Sequence, residues 1–168
     1  AQAEREDIRQ LSSYIEGTAG AIMSSEYATL KPNMMVKDAI NMLRFEAPDT
    51  ETIYFAYVLD QARKILGVLS LKQLILAPEE QNINELMEMN LLTAYVDTDQ
   101  DEVAKIIARY DLLALPIIDH QDMMVGIVTY DDAMDVASEE ATEDFLKVGA
   151  VNASSKLSIK SAPILQLY

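Results

Sequence analysis

The sequence predicts a mixed α/β (α+β) fold made of two similar halves, each a small sheet with flanking helices, arranged as a pseudo-twofold pair. Three observations predict it. Apolar runs of strand length, Leu115-Pro116-Ile117-Ile118 and Met123 to Val128, are joined by the polar turn Asp119 to Asp122. A segment with helical spacing follows from Tyr130 onward. The same order of elements occurs earlier in the chain, displaced by roughly 60 to 66 residues, which is too few copies for a solenoid but suits two units packed sheet against sheet.

In chain order, residues 4–16 read as a polar helical lead-in, and Gly17 with Gly20 punctuates it. The repeat then begins. Ala21-Ile22-Met23 returns as Glu85-Leu86-Met87, the strand Ala28 to Lys31 as Ala94 to Asp97, and the helix holding Asp38-Ala39-Ile40 as Val103-Ala104-Lys105. Tyr57-Val58-Leu59-Asp60 returns as Pro116-Ile117-Ile118-Asp119, and Gly67-Val68-Leu69-Ser70 as Gly126-Ile127-Val128-Thr129. Each half therefore reads strand, helix, strand, turn, strand, helix. The first copy carries the longer insertion before its middle strand, and Pro78 to Asn82 links the halves. Met34, Met42, Met87, Met123 and Met124 fall in apolar periods and read as core filler.

With 168 residues, half of them apolar, the chain is long enough to bury a proper core. Its 13 basic and 28 acidic residues give a net charge of −15, which argues against a nucleic-acid backbone or an anionic lipid surface as partner and favours cations or basic proteins. There is no cysteine, so disulfides, thiolate metal sites and cysteine nucleophiles are excluded. The single histidine, His120, sits in the turn between Asp119 and Gln121 and reads as a solvated residue rather than a base or ligand. No apolar run approaches the ~18 residues of a membrane span and the N-terminus is no signal peptide, so the chain as given reads as soluble. Its last residues turn weakly basic and apolar (Lys156, Lys160, then APILQLY), like the beginning of a further segment.

The helix after Thr129 is the strongest chemical signal. Thr129 is placed to cap it, and Asp131 and Asp132 lie where the helix dipole favours negative charge. At helical spacing, Asp132, Asp135, Glu139 and Glu143 form one stripe, while Met134, Ala137, Ala141, Phe145 and Val148 fall opposite and are expected to pack. Seven carboxylates and no Lys or Arg lie between Asp131 and Leu146. Like charges at i,i+4 each cost roughly 0.2–0.5 kcal/mol in an isolated helix, so something outside the helix is expected to offset them. Hard oxygen ligands without thiols or imidazoles suit Mg²⁺ or Ca²⁺, although a charge run is ordinarily only a solvated face. A second acidic cluster, Asp97, Asp99, Asp101 and Glu102, stands at the mouth of another helix, where dipole complementarity with Thr98 or Asp99 as cap is an adequate explanation by itself.

The strand-to-helix corners G-V-L-S-L and G-I-V-T-Y-D-D, in this order of elements, resemble the cystathionine β-synthase (CBS) domain pair, the Bateman module. Further segments narrow the likeness: Thr18-Ala19-Gly20 with Ile22-Met23, the run Ala47 to Tyr54, the run Asp97 to Ala104, and Glu140-Ala141-Thr142-Glu143-Asp144 followed by Gly149-Ala150-Val151. Together these look like the cytosolic CBS pair of MgtE-type magnesium transporters, over about residues 17 to 151.

The resemblance implies a division into residues 1–16 (the end of a helical N-domain), 17–80 (first CBS domain), 81–138 (second CBS domain) and 139–168 (a connecting helix and truncated tail before a membrane pore). It implies regulatory Mg²⁺ sites through Asp99, Asp101, Asp111, Asp132, Asp135, Glu140, Glu143 and Asp144, with the backbone carbonyl of Ala108, and a parallel homodimer. It places the piece on the cytoplasmic side of a cell membrane, attached to its own N-domain and pore, with cation binding favouring closure and no direct contact with lipid. CBS pairs also hold ATP or AMP by a Thr or Ser and, three residues on, an Asp; Thr129 and Asp132 fit that pattern. Ser70 is followed by Gln73, which does not fit and reads as a capping box. No nucleophile, base and oxyanion constellation is present, so no enzyme activity is expected.

Overall fold

The computed structural model describes residues 14–46 and 54–138. Its elements are α1 (Ala19–Ile22), β1 (Ala28–Leu30), α2 (Val36–Glu46), β2 (Phe55–Leu59), β3 (Ile65–Ser70) and α3 (Leu71–Leu76), then β4 (Ala94–Tyr95), α4 (Gln100–Arg109), β5 (Ala114–Ile118) and β6 (Met124–Thr129). A 3₁₀ turn, Ile83–Glu85, joins the halves, and residues 130–138 are the described part of a last helix, α5. Each half is a three-stranded sheet, β1-β2-β3 or β4-β5-β6, with its first pair parallel and its second antiparallel. The expected mixed α/β pair of sheets with flanking helices is therefore what the chain forms.

The strands are short and apolar, and the central β2 and β5 are buried along most of their length. In β2, Ala56 and Val58 point into the first helix-covered core, while Tyr57 and Leu59 point into a smaller core shared with Met124 and Ile127 of β6. Alternation along a strand sends neighbouring side chains to opposite faces, so one strand serves both cores. The helices close the outer faces. Val36, Ala39 and Leu43 bury one side of α2, and Val103, Ala104 and Ile107 one side of α4, at the spacing expected of an amphipathic helix.

The two hairpins turn in the same way. Asp60 Oδ1 accepts from the backbone N–H of Ala62 (2.8 Å) and Lys64 (2.9 Å), and Asp119 Oδ1 accepts from Gln121 and Met123 (both 2.9 Å). Arg63 and Asp122 each take φ 65° in these turns. Val58 pairs with Gly67 and Ile117 with Gly126, as the repeat predicted for the second strand pair. The first strands differ from expectation. Val58 pairs with Leu30 and Ile117 with Ala94, so the counterpart of Ala94 is Leu30, not Ala28. The same register matches Ala39 with Val103, one residue from the expected alignment. A two-residue slip keeps each strand residue on its face, so the apolar pattern could not exclude it.

Each half also completes the core of the other. Ala19 and Met23, which precede β1, belong to the core of the second sheet, whereas Ile83, Leu86 and Met87, which precede β4, pack into that of the first. Backbone bridges follow the same exchange: Ser24 with Ile127 and Glu88 with Val68, Thr18 with Asp99 and Asn82 with Met35. The bridge Lys64–Met123 lies on the pseudo-twofold itself. The exchange requires close approach. A Cβ on Gly126 would lie 2.5 Å from the Met23 sulfur, and one on Gly67 would lie 2.7 Å from that of Met87, so only glycine fits under each thioether.

Candidate cation and nucleotide sites

Thr129 ends β6, is buried, and its Oγ1 accepts from the backbone N–H of Asp132 at 3.4 Å, the capping role its sequence position indicates. Ala133 and Val136 then anchor α5. This rotates the helix from the expected face, since Ala137 is exposed and Met134 only partly buried. Small apolar residues mark a helix face weakly, and the expectation leaned on positions beyond Ser138 that lie outside the described residues. The rotation leaves Asp132 half-buried and Asp131 and Asp135 exposed. Asp132 and Asp135 line an open groove of about 660 Å³ with Glu16, Gly17 and Ile22 on one side and Gln100 of α4 on another.

The remaining sequence-derived candidates separate. Asp99 is the N-cap of α4, with extended backbone and no side-chain capping bond, and immediately precedes Gln100 of the groove. Thr98, the other cap candidate, accepts from the N–H of Tyr95 (3.1 Å) instead. Asp101 is exposed in the first turn of α4. Ala108 and Asp111 lie at its other end, about 15 Å away along the axis of a ten-residue helix. Asp111, with φ 51°, is the left-handed residue that stops α4, and the Leu112 N–H reaches back to the Ile107 carbonyl (3.0 Å). That geometry explains Asp111 without a ligand. Glu140, Glu143 and Asp144 fall outside the described residues. Among the described residues, no three acidic or histidine side chains converge closely enough to hold a metal ion.

Glu16 is the groove residue that sequence reasoning missed, and the repeat was the signal that could have found it. The backbone of the first half is held by Val36 N–H to Gln81 O, and that of the second by Gln100 N–H to Gly17 O, both at 2.8 Å. Under this correspondence Glu16 is the counterpart of Glu80, and Asp101 that of Lys37. The first half fills these positions with an ion pair, Lys37 Nζ to Glu80 Oε1 at 3.1 Å, and the hydrogen bond and charge of Glu80 hold the Lys37 ammonium above its ordinary pKa. The second half puts two carboxylates there.

At the other strand-to-helix corner, Ser70 and Gln73 form a full capping box. Ser70 Oγ accepts from Gln73 N–H (3.0 Å) and Gln73 Oε1 accepts from Ser70 N–H (2.8 Å). The amide of Gln73 also donates to the Leu86 carbonyl (3.2 Å), so both ends of this side chain are in use. Beside this corner a mostly apolar cleft of about 340 Å³ is lined by Phe55, Leu91, Leu92, Leu112 and Leu113, with Glu88 and Asp111 also on its wall. A neighbouring apolar groove shares Phe55 and Leu113 and reaches Ser70, Lys72, Ile75 and Leu76.

His120 is exposed in its turn, stacked on the Tyr95 ring (centroids 4.8 Å apart) with Nε2 2.9 Å from Asp97 Oδ2. The imidazole hydrogen bond holds the Asp97 carboxyl below its ordinary pKa. No helix among the described residues is long and apolar enough to cross a membrane.

Comparison with known proteins matches this arrangement. Over 160 residues, 95% of its length, the chain is 41% identical to the magnesium transporter MgtE of Thermus thermophilus, and over 149 residues, 89% of its length, 38% identical to MgtE of Enterococcus faecalis. It spans about a third of those relatives, 36% and 33% of their lengths. Among solved structures it is similar to the soluble part of a magnesium transporter (TM-score 0.81, 38% identity), covering 84% of this chain and 55% of that one. It is likewise similar to the cytosolic domain of the Mg²⁺ channel MgtE in complex with ATP (TM-score 0.78, 40% identity), covering 81% of this chain and 55% of that one. Residues 19–80 and 83–139 each match the CBS domain family. The chain belongs to that family, as a tandem CBS domain pair.

Proposed function

We propose that this CBS pair is the cytosolic regulatory, non-catalytic piece of a magnesium channel or transporter, that it senses Mg²⁺, and that the cation favours closure of the attached pore. One observation carries the reading: the groove between α1, α4 and α5 gathers Asp132, Asp135 and Glu16, while Asp101 takes the place that a lysine ammonium holds in the other half. Carboxylates so spaced suit an ion that keeps much of its water, which is how Mg²⁺ is ordinarily bound. Asp99, Glu140, Glu143 and Asp144 are proposed as further contributors, and Ala108 with Asp111 as a separate site at the far end of α4. The linkage is thermodynamic. The ion stabilises whichever state binds it better, by no more than its differential affinity for the two.

The module acts as a homodimer in this reading. Ile75 and Leu76 of α3 and the nearby Tyr54 and Leu113 leave more than half of their surface exposed and together present an apolar face that a second copy would cover. Titration calorimetry and thermal melting in MgCl₂, against NaCl of equal ionic strength, test the proposal. A specific rise in melting temperature and tighter self-association with Mg²⁺ are expected. Equal responses to both salts would reduce the groove to a solvated acidic surface.

A second reading is an adenosine-nucleotide sensor. Thr129 and Asp132 fit the family's nucleotide pattern; here Thr129 caps α5 and Asp132 lines the acidic groove, whose charge disfavours a polyphosphate. The cleft at Phe55, Leu92 and Leu113 offers an adenine ring a more apolar wall, with Glu88 and Asp111 also on its lining and Lys72 on the neighbouring groove that shares Phe55 and Leu113. ATP or AMP is proposed to bind there, once per chain.

A further inference from the structure

We propose that Lys37 is a built-in replacement for the regulatory cation, so that the first half of the pair is held permanently in the arrangement that the second half reaches only with a divalent ion. This rests on the cation reading of the acidic groove. Both halves fasten the segment that precedes the other half's core to the start of a helix, by Val36 N–H to Gln81 O and by Gln100 N–H to Gly17 O. In the first half the fastening is reinforced by Lys37 N–H to Glu79 O (3.0 Å) and by the Lys37–Glu80 ion pair. The acids around that ammonium are Asp38, Glu79 and Glu80, a surplus of negative charge that a single lysine bridges. In the second half the repeat puts Asp101 and Glu16 at the positions of Lys37 and Glu80, so no lysine stands there, and like charges at those positions disfavour the approach of Glu16 to α4 unless a cation intervenes.

The consequence is asymmetry by design of the repeat. Two units of the same strand order would respond to ion together; with Lys37 in one of them, the linker between the halves stays fixed and only the entry segment, residues 16–20, is left to respond. Lys37 is thus a positioning residue, which sets where the ion acts without touching it.

Amide hydrogen exchange on the whole chain, with MgCl₂ varied at constant ionic strength, tests this. In the unmodified protein the Val36 amide should be indifferent to Mg²⁺, while the Gln100 amide should slow several-fold. Lys37→Met should speed exchange at Val36 with no recovery in Mg²⁺, Lys37→Arg should behave as the parent, and Lys37→Asp should speed it in a way that MgCl₂ reverses. If Gln100 responds but Val36 of Lys37→Asp is not restored, the replacement idea is wrong and the groove reading stands. If Val36 of the parent already follows Mg²⁺ as Gln100 does, the idea is equally wrong. A Gln100 amide blind to Mg²⁺ would overturn the groove reading, and this inference with it.

Discussion

The thioether of Met23 lies directly over the α-carbon of Gly126, so closely that a methyl group there would sit 2.5 Å from the sulfur. Met23 comes before the first sheet and Gly126 is in the last strand of the second. Gly126→Ala should therefore cost about 1–3 kcal/mol, the usual range for overpacking a filled core. Denaturant unfolding measures it, and Met23→Ala in the same chain should return part of the loss. Simple additivity of the two substitutions would mean that the contact is not the cause.

Asp101→Lys gives the second half the ion pair of the first. The variant is expected to melt higher than the parent without Mg²⁺ and to gain less when MgCl₂ is added, because the lysine already does what the ion does. Differential scanning fluorimetry at fixed ionic strength reads both numbers. An undiminished Mg²⁺ shift would remove Asp101 from the site.

Ser70→Ala deletes the acceptor for the Gln73 N–H and should destabilise the chain by roughly 1 kcal/mol, the typical value for an N-cap. Gln73→Ala should cost a comparable amount, since its side chain also holds the Leu86 carbonyl. Urea midpoints at unchanged m-value would establish both.

The Asp97 carboxyl, lowered by its hydrogen bond to His120, binds a proton less readily folded than unfolded. Its contribution is thus present above the ordinary carboxylate value of 3.8 and disappears as pH falls through the lower, folded value. The acid limb of the stability curve should be shallower in Asp97→Asn than in the parent below that pH. The difference will be small, as both partners are solvent-exposed.

Lys72→Ala is predicted to weaken ATP binding several-fold, and Asp132→Asn to leave it unchanged or improve it. Equilibrium dialysis distinguishes the apolar cleft from the α5 corner. The opposite ranking would return the nucleotide to Thr129 and Asp132.

Much of this molecule was legible in its residues. The apolar runs, the Asp turns and the paired Gly67 and Gly126 fixed two sheets and their hairpins, because those features have a period of two and specific turn chemistry. The register of β1 and β4 was not legible, since strands of three and two residues carry too little pattern to distinguish Leu30 from Ala28. The groove was half legible. Asp132 and Asp135 announced themselves by unbalanced charge, whereas Glu16 lay in a lead-in whose relation to α4 depends on contacts between residues far apart in the chain. Asp111 is implied as a ligand only by the family resemblance, and its φ of 51° adds a backbone reason for its position that the sequence does not display.

The exchange of core segments also bears on how the chain can be made. A ribosome releases residues 19–23 early, yet the pocket for Ala19 and Met23 does not exist until β6 has been synthesised. The first sheet faces a similar wait for Ile83 and Met87, though a shorter one. Nascent chains stopped just after α3 should therefore be protease-sensitive, and protection of residues 19–23 should arrive only as residues following Val128 clear the exit tunnel, well after the first core is complete at Met87. Ribosome-bound chains of increasing length, probed by limited proteolysis, would show residues 19–23 protected together with the first sheet if that segment did not wait for the second.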